Sequence, residues 1–85
     1  MTKAEREEYD RAYAEARLAV EVGERVHAAR EAAGLSQREL ARKMGTSQAA
    51  IDRLESGGVG ATLTTLQRVA SALELEVSIE LRPPA

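Results

Sequence analysis

The sequence predicts an all-α bundle of about five helices with one C-terminal β-strand. Three observations carry that expectation. Residues 36–57, SQRELARKMGTSQAAIDRLESG, hold two short amphipathic segments parted by a glycine. Thr2, Ser36, Thr46 and Thr62 each stand where a helix N-cap belongs. From residue 75 the apolar period changes from 3.6 to 2.

Eighty-five residues suffice for one small domain. Hydrophobic residues make up 44% of them, and the only aromatics are two tyrosines, so the core must be aliphatic. No cysteine occurs, which excludes disulfides and thiol-based metal or redox sites. The single histidine, His27, is read as a helix-face residue and leaves little for metal binding or catalysis. No nucleophile–histidine pair, phosphate loop or cluster of metal ligands is visible, so no enzyme and no cofactor is expected. The glycines of Gly57–Gly60 lack a following Lys-Ser/Thr and read as a loop. No apolar run approaches the roughly 20 residues that span a bilayer, and the opening MTKAEREEYD is charged. A cytoplasmic protein with no membrane partner is expected.

The net charge of −2 is unevenly spread. Residues 1–22 are net −2, residues 23–60 net +1 and residues 61–85 net −1. A weakly basic centre beside an acidic arm suggests two different partners.

Taken in order, Thr2 and Glu5 form a possible capping box, followed by strong helix formers. Tyr9, Tyr13, Ala16 and Val20 make a narrow apolar stripe, poor in large residues. Gly23 predicts a bend or break between about Arg17 and Gly23. A second helix then runs to Ala33, with Val22, Val26, Ala29 and Ala33 inward and Gly34 as its C′ residue. Ser36 with Glu39 starts the helix Gln37–Met44, and Gly45 stops it. Thr46 caps a helix of about Ser47–Glu55, and Thr62 caps a last one from Leu63 to about Leu73. The apolar face of that last helix is Leu63, Leu66, Val69, Ala70 and Leu73. Leu75, Val77, Ile79 and Leu81 then alternate with polar residues, and Pro83-Pro84 ends the pattern. One strand cannot satisfy its own backbone, so antiparallel pairing with the same strand of a second copy is expected. The divisions are an N-terminal arm over 1–20, a central domain over 21–74 and a dimerisation strand over 75–82.

Within the centre, Leu40, Met44, Ile51 and Leu54 face the core, and Ala41 is small where two helices approach. That leaves Ser47, Gln48, Ala49, Asp52 and Arg53 outward. A helix presenting such residues fits a major groove about 12 Å wide. Gln48 can bond an adenine edge, Arg53 a guanine edge or a phosphate, and Ala49 a thymine methyl. Gln37, at a helix start, can hold a phosphate, and Arg38, Arg42 and Lys43 are placed near the backbone.

The stretch GLSQRELARKMGTSQAAIDRLESG resembles the helix-turn-helix of the Cro/lambda-repressor (XRE) family, over about Val22 to Leu73. The resemblance implies a lambda-repressor-like bundle. It implies base contacts from Gln48, Ala49 and Arg53, joined by Asp52 on the same face, and phosphate contacts from Gln37, Ser47 and Thr64. It also implies a structural pair between Arg30 and Glu55. The flanks, an acidic tyrosine-bearing first helix and a closing LEV-IEL strand, look like HigA-type antitoxins. Such proteins bind an inverted-repeat operator as homodimers and neutralise a basic, ribonuclease-like toxin of the HigB/RelE type. On that reading Tyr9, Tyr13, Glu5 and Glu8 meet the toxin, and Leu75, Val77, Ile79 and Leu81 join the dimer. A stand-alone repressor without a toxin, and a protein-binding module on the same scaffold, are the competing readings.

Overall fold

A computed structural model describes residues 1–84. It has four helices: α1 (Lys3–Ala32), α2 (Gln37–Met44), α3 (Gln48–Gly57) and α4 (Leu63–Ala72). The chain is therefore helical, with four helices rather than about five, because the first two expected helices are one. A 30-residue helix rises about 45 Å, and α1 accounts for the 47 Å long axis of the molecule.

The missing break has a physical cause. Gly23 is buried inside α1 where the end of α3 crosses it. A Cβ at that position would lie 2.6 Å from the Leu54 carbonyl oxygen and 2.8 Å from that of Glu55. Glycine in a helix interior costs about 1 kcal/mol against alanine. Here the absent side chain is what lets two backbones meet. One turn earlier, the backbone of Ala19 meets Gly58, which ends α3 in the left-handed conformation at φ 73°. Any Cβ at Gly58 would overlap the Ala19 carbonyl.

The caps explain where the helices begin. The Thr2 hydroxyl accepts from the Glu5 amide at 3.1 Å while the Glu5 carboxylate accepts from the Thr2 amide at 3.3 Å. Ser36 and Glu39 repeat the reciprocal pair at 3.0 Å each. α3 is capped by Ser47, whose hydroxyl accepts from the Ala50 amide at 3.1 Å, and not by the expected Thr46. Thr46 is still engaged in closing α2: its amide donates to the Ala41 carbonyl, behind Gly45 at φ 68°. Thr62 caps α4 as expected, through the Thr65 amide. α4 ends with Glu74 in the left-handed region at φ 59°, and the Leu75 amide donates back to the Ala70 carbonyl at 2.8 Å.

Val26, Leu40, Ala41, Met44, Ile51, Leu54 and Val69 form the aliphatic core, and Leu66 and Leu73 flank it. Leu40, Ile51 and Leu54 are sealed completely, and each contributes about 1.5–3 kcal/mol of burial. Two expected core positions lie outside. Ala33 is the exposed C-cap of α1, and Leu63 projects from the first turn of α4.

Residues 75–84 are non-helical, and there is no strand among the described residues. The expected C-terminal strand is thus absent from the single chain, which offers it no partner edge. Val77 is half-buried, whereas Leu75, Ile79 and Leu81 are exposed. The tyrosine stripe, expected to lie on the domain or on something else, does not lie on the domain: every residue from Lys3 to Leu18 is exposed.

Candidate nucleic-acid interface

α3 divides cleanly into two faces. Ile51, Leu54 and Glu55 point into the molecule, and Gln48, Ala49, Asp52 and Arg53 are exposed. The spacing follows the helix period, since residues 48 and 52, and 49 and 53, stand one turn apart. Arg53 also edges a shallow cleft shared with Thr46, Val59, Gly60, Thr65 and Arg68. Ser47, just before the face begins, is exposed while its hydroxyl holds the cap. Arg38, Arg42 and Lys43 on α2, and Thr64 near the start of α4, are exposed.

α3 is fixed in direction by three attachments. Gly45 sets the tight turn from α2. The Arg68 guanidinium on α4 donates to the Met44 carbonyl, satisfying one of the open acceptors at the end of α2. The third attachment is ionic and lies at the other end of α3. Arg30 of α1 grips Glu55 with two hydrogen bonds, Nε to Oε2 at 2.7 Å and Nη2 to Oε1 at 2.9 Å. Its Nη1 donates to the Leu35 carbonyl at 2.7 Å. Both side chains are buried. A planar guanidinium and a carboxylate meet in this fork with high geometric specificity.

Glu55 has further partners. His27 Nδ1 lies 2.8 Å from Oε1, and Gln37 Nε2 donates to the same oxygen at 3.2 Å and to Asp52 Oδ1 at 3.4 Å. His27 Nε2 meets Glu31 on its own helix. Burial is the largest influence on the Glu55 carboxyl and pushes its pKa up. The hydrogen bonds from Arg30, His27 and Gln37, with the Arg30 charge, outweigh burial and hold it below the ordinary carboxylate value. The hydrogen bond to Glu55 raises the Arg30 pKa above its usual value against the opposing effect of burial. Glu39, exposed, is lowered by the Ser36 amide and hydroxyl.

The structure thus brings Gln37, Asp52, Arg30 and Glu55 together and leaves Gln48, Ala49 and Arg53 free on the outer face. Tyr9 and Tyr13, 61% and 59% exposed, and Glu5 and Glu8 stand apart on the projecting half of α1. Sequence reasoning missed two members of this arrangement. His27 is a part of the ionic cluster rather than a plain helix-face residue, and the signal was its position one turn before Arg30. Arg68 gave no signal of its own. Among the described residues no cluster of His, Cys, Asp or Glu is arranged to hold a metal ion. No helix among them is long and apolar enough to cross a membrane.

Two short helices across a left-handed glycine, the second with a buried anchor face and a free polar face, define a helix-turn-helix protein. Residues 26–79 match the helix-turn-helix family model, and the chain belongs to that family. It is similar to a Sinorhizobium fredii protein named as an uncharacterized HTH-type transcriptional regulator, y4dL, with 41% identity over 56 residues. That match covers 66% of this chain and 29% of the relative.

Proposed function

We propose that the chain is a DNA-binding transcriptional regulator that reads operator sequence through the free face of α3. The observation that carries this reading is the exposure of Gln48, Ala49, Asp52 and Arg53 on a helix whose opposite face is sealed into the core. Gln48 and Arg53 supply the groups that pair with adenine and guanine edges. Ser47, Arg38, Lys43 and Thr64 supply backbone contacts around them. The test is anisotropy against a duplex selected by the chain from a randomised pool. Gln48→Ala with Arg53→Ala should cost about 1–3 kcal/mol per position and relax the preferred sequence. Sequence preference surviving in the double variant would refute the assignment.

One α3 reads one half-site. We propose that two copies pair through Leu75, Val77, Ile79 and Leu81, setting two recognition helices about 34 Å or a multiple apart on an inverted repeat. The alternation, with Leu75, Ile79 and Leu81 exposed, supports the pairing. Sedimentation of a chain lacking residues 75–85 should give monomers, and a tight dimer would sink the idea.

The projecting arm favours a HigA-type antitoxin over a repressor without a toxin. Tyr9 and Tyr13 are bare on a net-acidic helix, and a basic ribonuclease-like toxin of the HigB/RelE type is the partner such a surface would suit. Deleting residues 1–18 should abolish toxin binding and spare DNA binding. A chain that binds its operator but no toxin is a stand-alone repressor.

A further inference from the structure

The ring of His27 stands where three helices meet. Nδ1 faces Glu55 Oε1 on α3 at 2.8 Å, and Nε2 meets Glu31 one turn along α1. Arg30 Nη2 lies 3.1 Å from Nδ1. Glu55 Oε1 has two other suitors, Arg30 Nη2 at 2.9 Å and Gln37 Nε2 of α2 at 3.2 Å. A carboxylate oxygen offers two lone pairs, and three donors point at this one. The Gln37 contact is the longest of the three and the first to be displaced.

The protonation state of the ring decides the outcome. A neutral imidazole carries one N–H and can serve Glu31 or Glu55 but not both. With the proton on Nε2 it serves Glu31, Nδ1 accepts from Arg30, and Glu55 Oε1 keeps Gln37. An imidazolium donates to both carboxylates and takes Oε1 for itself.

We propose that His27 is a positioning residue for Gln37: protonated, it displaces the Gln37 amide from Glu55, leaving it only its longer, exposed contact to Asp52 and so available to the DNA phosphate backbone, and deprotonated, it leaves that amide engaged inside the protein. The inference rests on the DNA-binding reading above. The charged groups facing the ring are Arg30 and Glu31 from α1 and Glu55 from α3, with Asp52 behind Gln37. From α2 comes only the uncharged Gln37 amide. Glu55 remains an ionised acceptor throughout, since its carboxyl is held below the ordinary range. DNA affinity therefore rises when the ring takes up a proton and falls when it loses it.

The experiment measures anisotropy of the full chain on its own selected duplex, at fixed ionic strength, at pH 8 and pH 6. The wild-type chain should bind roughly tenfold tighter at pH 6, the size of one recovered hydrogen bond to a charged group. His27→Gln should abolish that dependence, and Gln37→Ala should abolish it too. A dependence that persists in either variant overturns the proposal. A second measurement needs neither DNA nor a variant. In the free wild-type protein the Gln37 side-chain amide resonances should titrate with the same midpoint as the His27 ring. Amide resonances that ignore the ring overturn the proposal. Failure to select any duplex, with the amide following the ring, overturns the DNA-binding reading alone.

Discussion

α1 is one helix with two halves. From Lys3 to Leu18 every residue is exposed, whereas Ala19, Val22, Gly23, Val26, Ala29 and Arg30 are wholly or partly covered. Composition does not separate the halves: both are rich in alanine, glutamate and arginine. What separates them is a glycine at a backbone crossing and an arginine opposite a buried glutamate. The free half carries as many large apolar side chains, Tyr9, Tyr13 and Leu18, as the docked half, Val20, Val22 and Val26. Docking here is decided by fit and by one ion pair, not by how much apolar surface a segment has to offer.

The comparison can be broken most severely at Glu55. Glu55→Ala leaves Arg30 charged and unpaired in the interior, and a loss of about 3–5 kcal/mol is expected by denaturant unfolding. For a chain of this size each kcal/mol is worth about 4–8 °C in Tm. Gly23→Ala is next. Alanine is the better helix former, yet its methyl meets two backbone carbonyls, and a loss of about 1–3 kcal/mol is expected. A gain would show that the crossing relaxes freely.

The pH dependence sharpens the same contrast. Glu55 has a depressed folded pKa, so its unfolded form binds the proton more readily. The stabilisation it gives is present above the unfolded carboxylate value of about 4.3 and is lost as pH falls through the lower folded value. Glu55→Gln should remove that part of the acid dependence, read from Tm between pH 5 and pH 2, at about those values. Smallest of all, Tyr9→Ala with Tyr13→Ala should change stability by less than about 0.5 kcal/mol. Hydrogen exchange should find the free half opening readily, since short isolated helices are marginal in water.

Local signals were legible in the sequence. Thr2, Ser36 and Thr62 act within three residues of themselves, and so do the glycines that close α1 and α2. The faces of α2 and α3 followed from period alone. The failures concern partners distant in sequence. Gly23 reads as a helix breaker until Leu54 and Glu55 are placed against it. His27 reads as a surface residue until Glu55 arrives beside it. Thr46 and Ser47 are both capable caps, and only the closing bond from Thr46 to Ala41 decides between them. The alternation from Leu75 to Leu81 announces a strand without supplying the neighbour that would make one.

The unbroken course of α1 makes it an index as well as a support. Gly23 and Gly58 lock its azimuth to the end of α3, so the tyrosine stripe points in a direction set by α3. Each residue added between Leu18 and Ala19 turns the stripe by about 100° and advances it about 1.5 Å. One inserted alanine aims the arm at a different quarter of the surroundings, whereas seven return it almost to its original bearing, about 10 Å farther out. Any partner that met Tyr9 and Tyr13 would thereby be held at a bearing dictated by α3, so the arm would carry orientation as well as adhesion.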